Sequence, residues 1–66
     1  MTRKDYIAIA ESIRVVVEAY QVETNSERRT SGVLAASEIA QSLVPIMKAD
    51  NPRFDEAVFL RACRVI

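Results

Sequence analysis

Apolar positions in the middle of the chain recur with the period of an α-helix. Between Gly32 and Lys48 they gather on one side when successive residues are turned by about 100°, and Glu38 and Gln41 take the other side. The alternation required of a half-buried strand breaks at residues 34–36. We therefore predict a central helix whose apolar arc contains Val33, Ala36, Ile39, Ala40, Leu43, Val44, Ile46 and Met47.

Pro45 is the one residue of this stretch that disfavours a helix. An interior proline loses a backbone hydrogen bond and clashes with a preceding carbonyl, at about 3 kcal/mol. Pro45 falls on the polar side, where water can reach the freed carbonyl and the helix can bend around its core. We predict a kink near residues 41–45, and the alternative is a helix that ends at Val44.

A first helix is predicted before this stretch. Thr2 can serve as its N-cap and Asp5, three residues later, can complete a capping box. The helix should end near Gln21 or Val22. Its core face, spaced by threes and fours, contains Tyr6, Ile9, Ala10, Ile13, Val16, Val17 and Tyr20.

The other side of the first helix is not purely polar, because Ile7, Val15 and Val22 lie there among charged residues. Chance exposure is one interpretation, since single exposed aliphatics are common. The alternative is a contact stripe that a second copy of the chain buries. Half of the 66 residues are hydrophobic and the formal net charge is zero, which tolerates association. We expect a homo-oligomer, with a two-fold dimer favoured.

The polar segment 23–31 connects the first two helices. Its end carries Arg28, Arg29, Thr30 and Ser31. If Ser31 is the N-cap, which we narrowly favour, these side chains and free N–H groups suit a phosphate, nucleotide or acidic group. The alternative is a solvated loop with an ordinary cap. A start at Ser26 shortens the loop, places Gly32 inside the helix and weakens the anion-site hypothesis.

A third, short helix is predicted at the end of the chain. Pro52 forces Asn51 out of the helical region, and Asp55 can cap the next helix. Phe54 and Phe59 stand at the two positions of a hydrophobic staple. This helix should run from Glu56 to about Val65, with Phe59, Ala62, Cys63 and Ile66 on one face.

The composition argues against enzymatic chemistry, cofactors and metals. The chain has no histidine, one glycine and one cysteine, which removes the commonest general base and metal ligand and all glycine-rich phosphate loops. Cys63 lies on the predicted core face and is expected to be a buried hydrophobe. A single cysteine, no apolar run of membrane length and no signal-peptide pattern indicate a reducing cytoplasm and no membrane.

A neutral chain also disfavours nucleic acid as a partner. The short connection between the second and third helices fits a DNA-binding helix-turn-helix. The expected exposed residues of its reader helix, Glu56, Leu60, Arg61 and Arg64, are nevertheless a poor set for reading bases.

Both ends of the chain resemble a group of short uncharacterised accessory proteins of tailed bacteriophages and prophages. The matching blocks are residues 1–6 (MTRKDY) and 51–55 (NPRFD), with Phe59, Leu60 and Cys63, and Ala40 and Leu43 also match. The resemblance implies a protein acting in the cytoplasm of a bacterial host, and it implies no reaction. Pro45 and segment 23–31 depart from the group.

Together these observations predict a single all-α domain of three helices, two long and antiparallel, with a short third helix packed across them. The expected function is non-enzymatic binding of a host protein, and the resemblance extends this to host takeover or inhibition of bacterial immunity. The alternatives are a small oligomer that sequesters a phosphorylated or nucleotide ligand through Arg28 and Arg29, and a DNA-binding regulator.

Overall fold

A computed structural model describes residues 1–66 and confirms the all-α, three-helix prediction. The helices are α1 (Arg3–Gln21), α2 (Ser26–Asp50) and α3 (Glu56–Ala62). Contacts near both ends of the hairpin, Met1 with Asp50 and Tyr20 with Gly32, show that α1 and α2 run antiparallel. The third helix contacts both of the others.

The start of α1 is the predicted capping box. The Asp5 carboxylate accepts from the backbone N–H of Thr2 at 2.8 Å, and the Thr2 hydroxyl oxygen accepts from the N–H of Asp5 at 3.4 Å. The helix ends at Gln21, as expected. On its exposed side, Arg14 donates to both carboxylate oxygens of Glu18, at 3.1 and 3.2 Å.

The second helix begins earlier than we favoured, so the start at Ser31 is wrong. Its N-cap is Asn25, whose side-chain oxygen accepts from the N–H of Arg28 at 2.9 Å. Asparagine is among the best N-cap residues, and this start satisfies one of the first free N–H groups without a long loop. The cost of Gly32 inside the helix is offset by packing, because the Tyr20 ring lies against its Cα.

Pro45 does not end α2, which continues to Asp50. The proline is exposed, on the side of the helix predicted for it. The alternative end at Val44 is therefore wrong, whereas the kink stays a prediction. The helix stops at Asn51, an extended residue preceding Pro52, as predicted.

Asp55 caps α3 by accepting from the N–H of Val58 at 3.1 Å. The rings of Phe54 and Phe59 form the predicted staple, with centroids 5.4 Å apart. The helix ends at Ala62, earlier than the expected Val65. A Schellman-type turn ends it: Arg64 takes φ 65°, and the N–H of Val65 donates to the Leu60 carbonyl at 3.1 Å.

The core lies where the three helices meet, and on α2 it includes a seam of small residues followed by Val44 and Met47. Gly32, Ala36 and Ala40 recur every four residues, so they share one side of the helix, and all three are buried. Small side chains let α1 approach α2 closely. The core contains Ala10, Ile13, Val17, Ala36, Ala40, Val44, Met47, Phe54, Phe59, Leu60 and Cys63.

Several residues predicted for the core lie outside it. Ile39 and Ile46 are 57% and 61% exposed, and Val16 is 45% exposed. The apolar arc of α2 is wider than the strip that α1 and α3 cover, so its edge faces water. Ile66 is also exposed, because the chain leaves the helical path after Ala62.

The prediction for Leu60 is wrong in the opposite sense, because Leu60 was expected to be exposed and is buried. The reason is the position of α3, which crosses both long helices and so buries two adjacent sides of itself. Leu60 is therefore not exposed on the surface with which a helix-turn-helix would read DNA.

Replacing Gly32 by alanine should destabilise the protein. An interior glycine normally costs a helix about 1 kcal/mol relative to alanine, but here a Cβ would overlap Cγ and Cδ1 of Tyr20, close to the stem of that side chain. We expect Gly32→Ala to lower the free energy of unfolding by about 1–3 kcal/mol, measured by urea denaturation.

The control is the same change in a Tyr20→Ala background. Without the ring, Gly32→Ala should raise the free energy of unfolding by about 1 kcal/mol. Stabilisation by Gly32→Ala in the presence of Tyr20 would show that the ring does not hold this position.

Candidate binding groove

An apolar groove runs along the junction of α1 and α3. It is formed by two adjoining depressions that share Ile7, Ala10 and Ala62, and the larger encloses about 500 Å³. We call it the α1–α3 groove. Ile7 of α1 and Val58 of α3 stand among its lining residues, and they are 49% and 57% exposed.

A row of aromatic rings supports one end of the groove. The Tyr6 and Phe54 ring centroids are 5.3 Å apart, and Phe54 in turn packs on Phe59 at 5.4 Å. Phe54 and Phe59 are buried members of the core. Rings in tilted contact at these distances are a favourable arrangement, so this end of the groove has a firm wall of packed side chains.

The same end is fixed by a polar cluster around Asp50. One oxygen of its carboxylate, Oδ2, accepts from the Tyr6 hydroxyl at 2.7 Å and from the Met1 ammonium group at 2.9 Å. These contacts join the start of α1 to the end of α2. Asp5, already engaged with Thr2, lies close enough to affect the charges of the cluster.

The hydrogen bonds of this cluster change its titration. The bond to Asp50 raises the pKa of Tyr6 from 10.0 to about 12. The bonds donated by Tyr6 and by the ammonium group lower the pKa of the Asp50 carboxyl. The bond to Asp50 likewise raises the pKa of the Met1 ammonium group.

Arginines predominate among the charged residues of the groove. Arg3, Arg53, Arg14, Arg61 and Arg64 line its two depressions, against the two carboxylates of Asp55 and Glu11. Sequence reasoning did not find this rim. Its members come from three separate segments, and no local pattern brings them together.

The residues of the predicted anion site lie inside α2 and not in the loop before it. Arg28, Arg29, Thr30 and Ser31 lie within the first two turns of α2. Arg28 pairs with Glu23 at 3.5 Å, and Arg29 donates to the Glu23 carbonyl at 2.9 Å. Asn25 already occupies the N–H of Arg28. Both guanidinium groups therefore hold the preceding loop, and the free N–H groups proposed near Thr30 and Ser31 are absent.

The predicted self-association residues Ile7, Val15 and Val22 are all exposed. Ile7 lines the α1–α3 groove, Val15 lies further along α1, and Val22 lies just beyond its end. Val15 and Val22 line neither depression of the groove. Their burial by a second copy stays a prediction.

Residues that could carry other chemistry are few. Cys63 is fully buried, and burial raises the pKa of its thiol, which disfavours the reactive thiolate. No group of three or more histidine, cysteine, aspartate or glutamate side chains is placed to hold a metal ion. None of the helices combines the length and apolar character needed to cross a membrane.

Comparisons with protein-family models, curated proteins and solved structures gave no match to this chain.

Asp50→Asn should lower the pKa of Tyr6 from about 12 towards 10.0, because the charged acceptor is removed. The change is measured from tyrosinate absorbance in a Tyr20→Phe background, where Tyr6 is the only tyrosine. Glu38→Asn, an exposed carboxylate on the same helix, is the matched control and should leave the titration unchanged. An identical titration in the Asp50→Asn and control chains would contradict the bond.

The free energy of unfolding should depend on pH in the direction that these pKa shifts imply. The Asp50 pKa is lowered by folding, so its contribution is present above the unfolded pKa near 3.8 and is lost as pH falls through the folded pKa. The Met1 ammonium and Tyr6 pKa values are raised, so their contributions are lost as pH rises through the folded values. Urea denaturation at a series of pH values should show that the loss of stability at low pH and the loss at high pH are both smaller in Asp50→Asn.

Proposed function

We propose that this chain is a non-enzymatic binding protein that acts by docking on another protein. The observation that carries the proposal is the amount of aliphatic surface left in water, since ten large hydrophobic residues of a 66-residue chain are exposed. Isolated exposed aliphatics are ordinary, but Ile7 and Val58 flank a formed groove. Apolar patches rimmed by polar groups are typical of protein interaction sites.

The partner in this proposal is a protein of a bacterial host, and the setting is the host cytoplasm. This part depends on the resemblance of the chain ends to phage accessory proteins. Such a protein would act by occluding a surface of a host component, including components of bacterial immunity. Occlusion requires shape and apolar contact and no catalytic group, which suits a chain without histidine.

Self-association is part of the proposal and has its own support. Ile39 and Ile46 are exposed on α2, away from the α1–α3 groove, and Val15 and Val16 are exposed on α1. A dimer that covered such residues would leave the groove free for a different protein. Light scattering should give a mass above that of one chain, and a monomeric mass at high concentration would remove this part.

The function is tested by capture from bacterial lysate with the immobilised full chain. Ile7→Glu with Val58→Glu places charges in the groove and should abolish retention of the captured protein. Leu34→Glu with Ile66→Glu is the matched control, because those side chains are similarly exposed, at 56% and 65%, and do not line the groove. This variant should retain the captured protein. Equal retention by both variants, or turnover of a substrate by the purified chain, would contradict the proposal.

A further inference from the structure

The α1–α3 groove combines an apolar surface with a surplus of positive charge, although the whole chain is neutral. Five arginines line its two depressions against two carboxylates. We propose that its occupant is an acidic, amphipathic helix of a partner protein. The inference rests on the proposed function and specifies the chemistry of the partner.

The arginines of the groove are largely free to meet a partner. The three ion pairs of the molecule use Met1, Arg14 and Arg28 as their cations. Arg3, Arg53, Arg61 and Arg64 thus have no carboxylate partner within the chain, and all four are exposed. An acidic partner would supply the missing counter-charges.

The two carboxylates in the groove form no ion pair with these arginines and are outnumbered by them. Asp55 accepts from the N–H of Val58 and so is engaged as the cap of α3. Glu11 forms no ion pair, and it lines the smaller depression together with Arg14, Arg61 and Arg64. A surplus of positive charge therefore remains along the groove, and it would accelerate and orient the approach of an acidic segment.

The dimensions suit a short helix. The groove follows α1 from Arg3 to Arg14, which is about 16 Å or three turns at 1.5 Å per residue. A helix lying in an apolar groove presents side chains at positions i, i+3 or i+4, and i+7. Ile7, Ala10, Val58 and Ala62 would receive that stripe, with acidic residues of the partner on either side of it.

A second copy of this chain does not match these requirements. The helix α1 contains three basic and three acidic residues, and α2 likewise contains three of each. Each long helix is therefore neutral as a whole and offers no surplus of acidic charge to the arginines. A nucleic-acid backbone would satisfy the arginines, but it would leave Ile7 and Val58 against phosphates and sugars, which gain little from apolar contact.

The test is selection of peptides from a displayed library of random amphipathic helices, with the full chain immobilised. The chain with Ile7→Glu and Val58→Glu serves for counter-selection. We expect the enriched peptides to carry an aliphatic stripe flanked by Asp and Glu. Titration of one such peptide into the isotopically labelled chain should shift amide resonances of α1 and α3, and higher salt should weaken binding.

Charge variants test whether the groove recognises acidic residues of the partner in addition to its apolar surface. Arg3→Glu with Arg53→Glu should weaken binding of the selected peptide by at least about tenfold. Lys4→Glu with Lys48→Glu is the matched control: it changes the net charge equally at exposed positions that do not line the groove. It should leave the affinity within about twofold.

Other outcomes would overturn the inference in distinguishable ways. Enrichment of basic or uncharged peptides in the same groove would refute the acidic partner and leave the proposed function standing. Equal effects of the two charge variants, or resonance shifts outside α1 and α3, would refute the groove as the docking site. Failure to select any peptide would also refute the groove as the docking site of an acidic helix. The same conclusion would follow if a DNA duplex or anionic vesicles, and no peptide, shifted the groove resonances.

Discussion

The close approach of α1 to α2 along a seam of small residues is the constraint on which the rest of the fold depends. Gly32, Ala36 and Ala40 provide that seam, and Tyr20 packs directly on the glycine. Ile13 and Val17 of α1 belong to the same buried cluster as Ala36 and Ala40, as expected where small side chains allow two helices to pack closely. The seam is narrow, so it covers only part of the apolar arc of α2.

Two consequences follow from the narrow seam. Two large aliphatic side chains of α2, Ile39 and Ile46, stay outside the core and face water. At the end of the hairpin, Phe54 in the connection before α3 and Phe59 and Leu60 of α3 complete the core. Between α3 and α1, Ile7 and Val58 stay about half exposed, and this junction remains open as the groove.

Local signals in the sequence predicted the helix ends where cap and partner are a few residues apart. The Thr2–Asp5 box and the Phe54–Phe59 staple are of this kind, and both are confirmed. Periodicity gave the apolar arc of α2 but could not give the width of the strip that its neighbours cover. That width depends on how α1 and α3 pack, so Ile39 and Ile46 were assigned wrongly. Leu60 was assigned wrongly because α3 contacts both long helices. The arginine rim of the groove is a tertiary arrangement with no local signal.

The most direct test of this account is the free energy of unfolding after enlarging one seam residue. Ala40 is fully buried and Ala35, on the same helix, is exposed. We expect Ala40→Leu to lower this free energy by about 1–3 kcal/mol and Ala35→Leu to change it by no more than about 0.5 kcal/mol. Leucine tolerated equally well at both positions would contradict a close seam between α1 and α2.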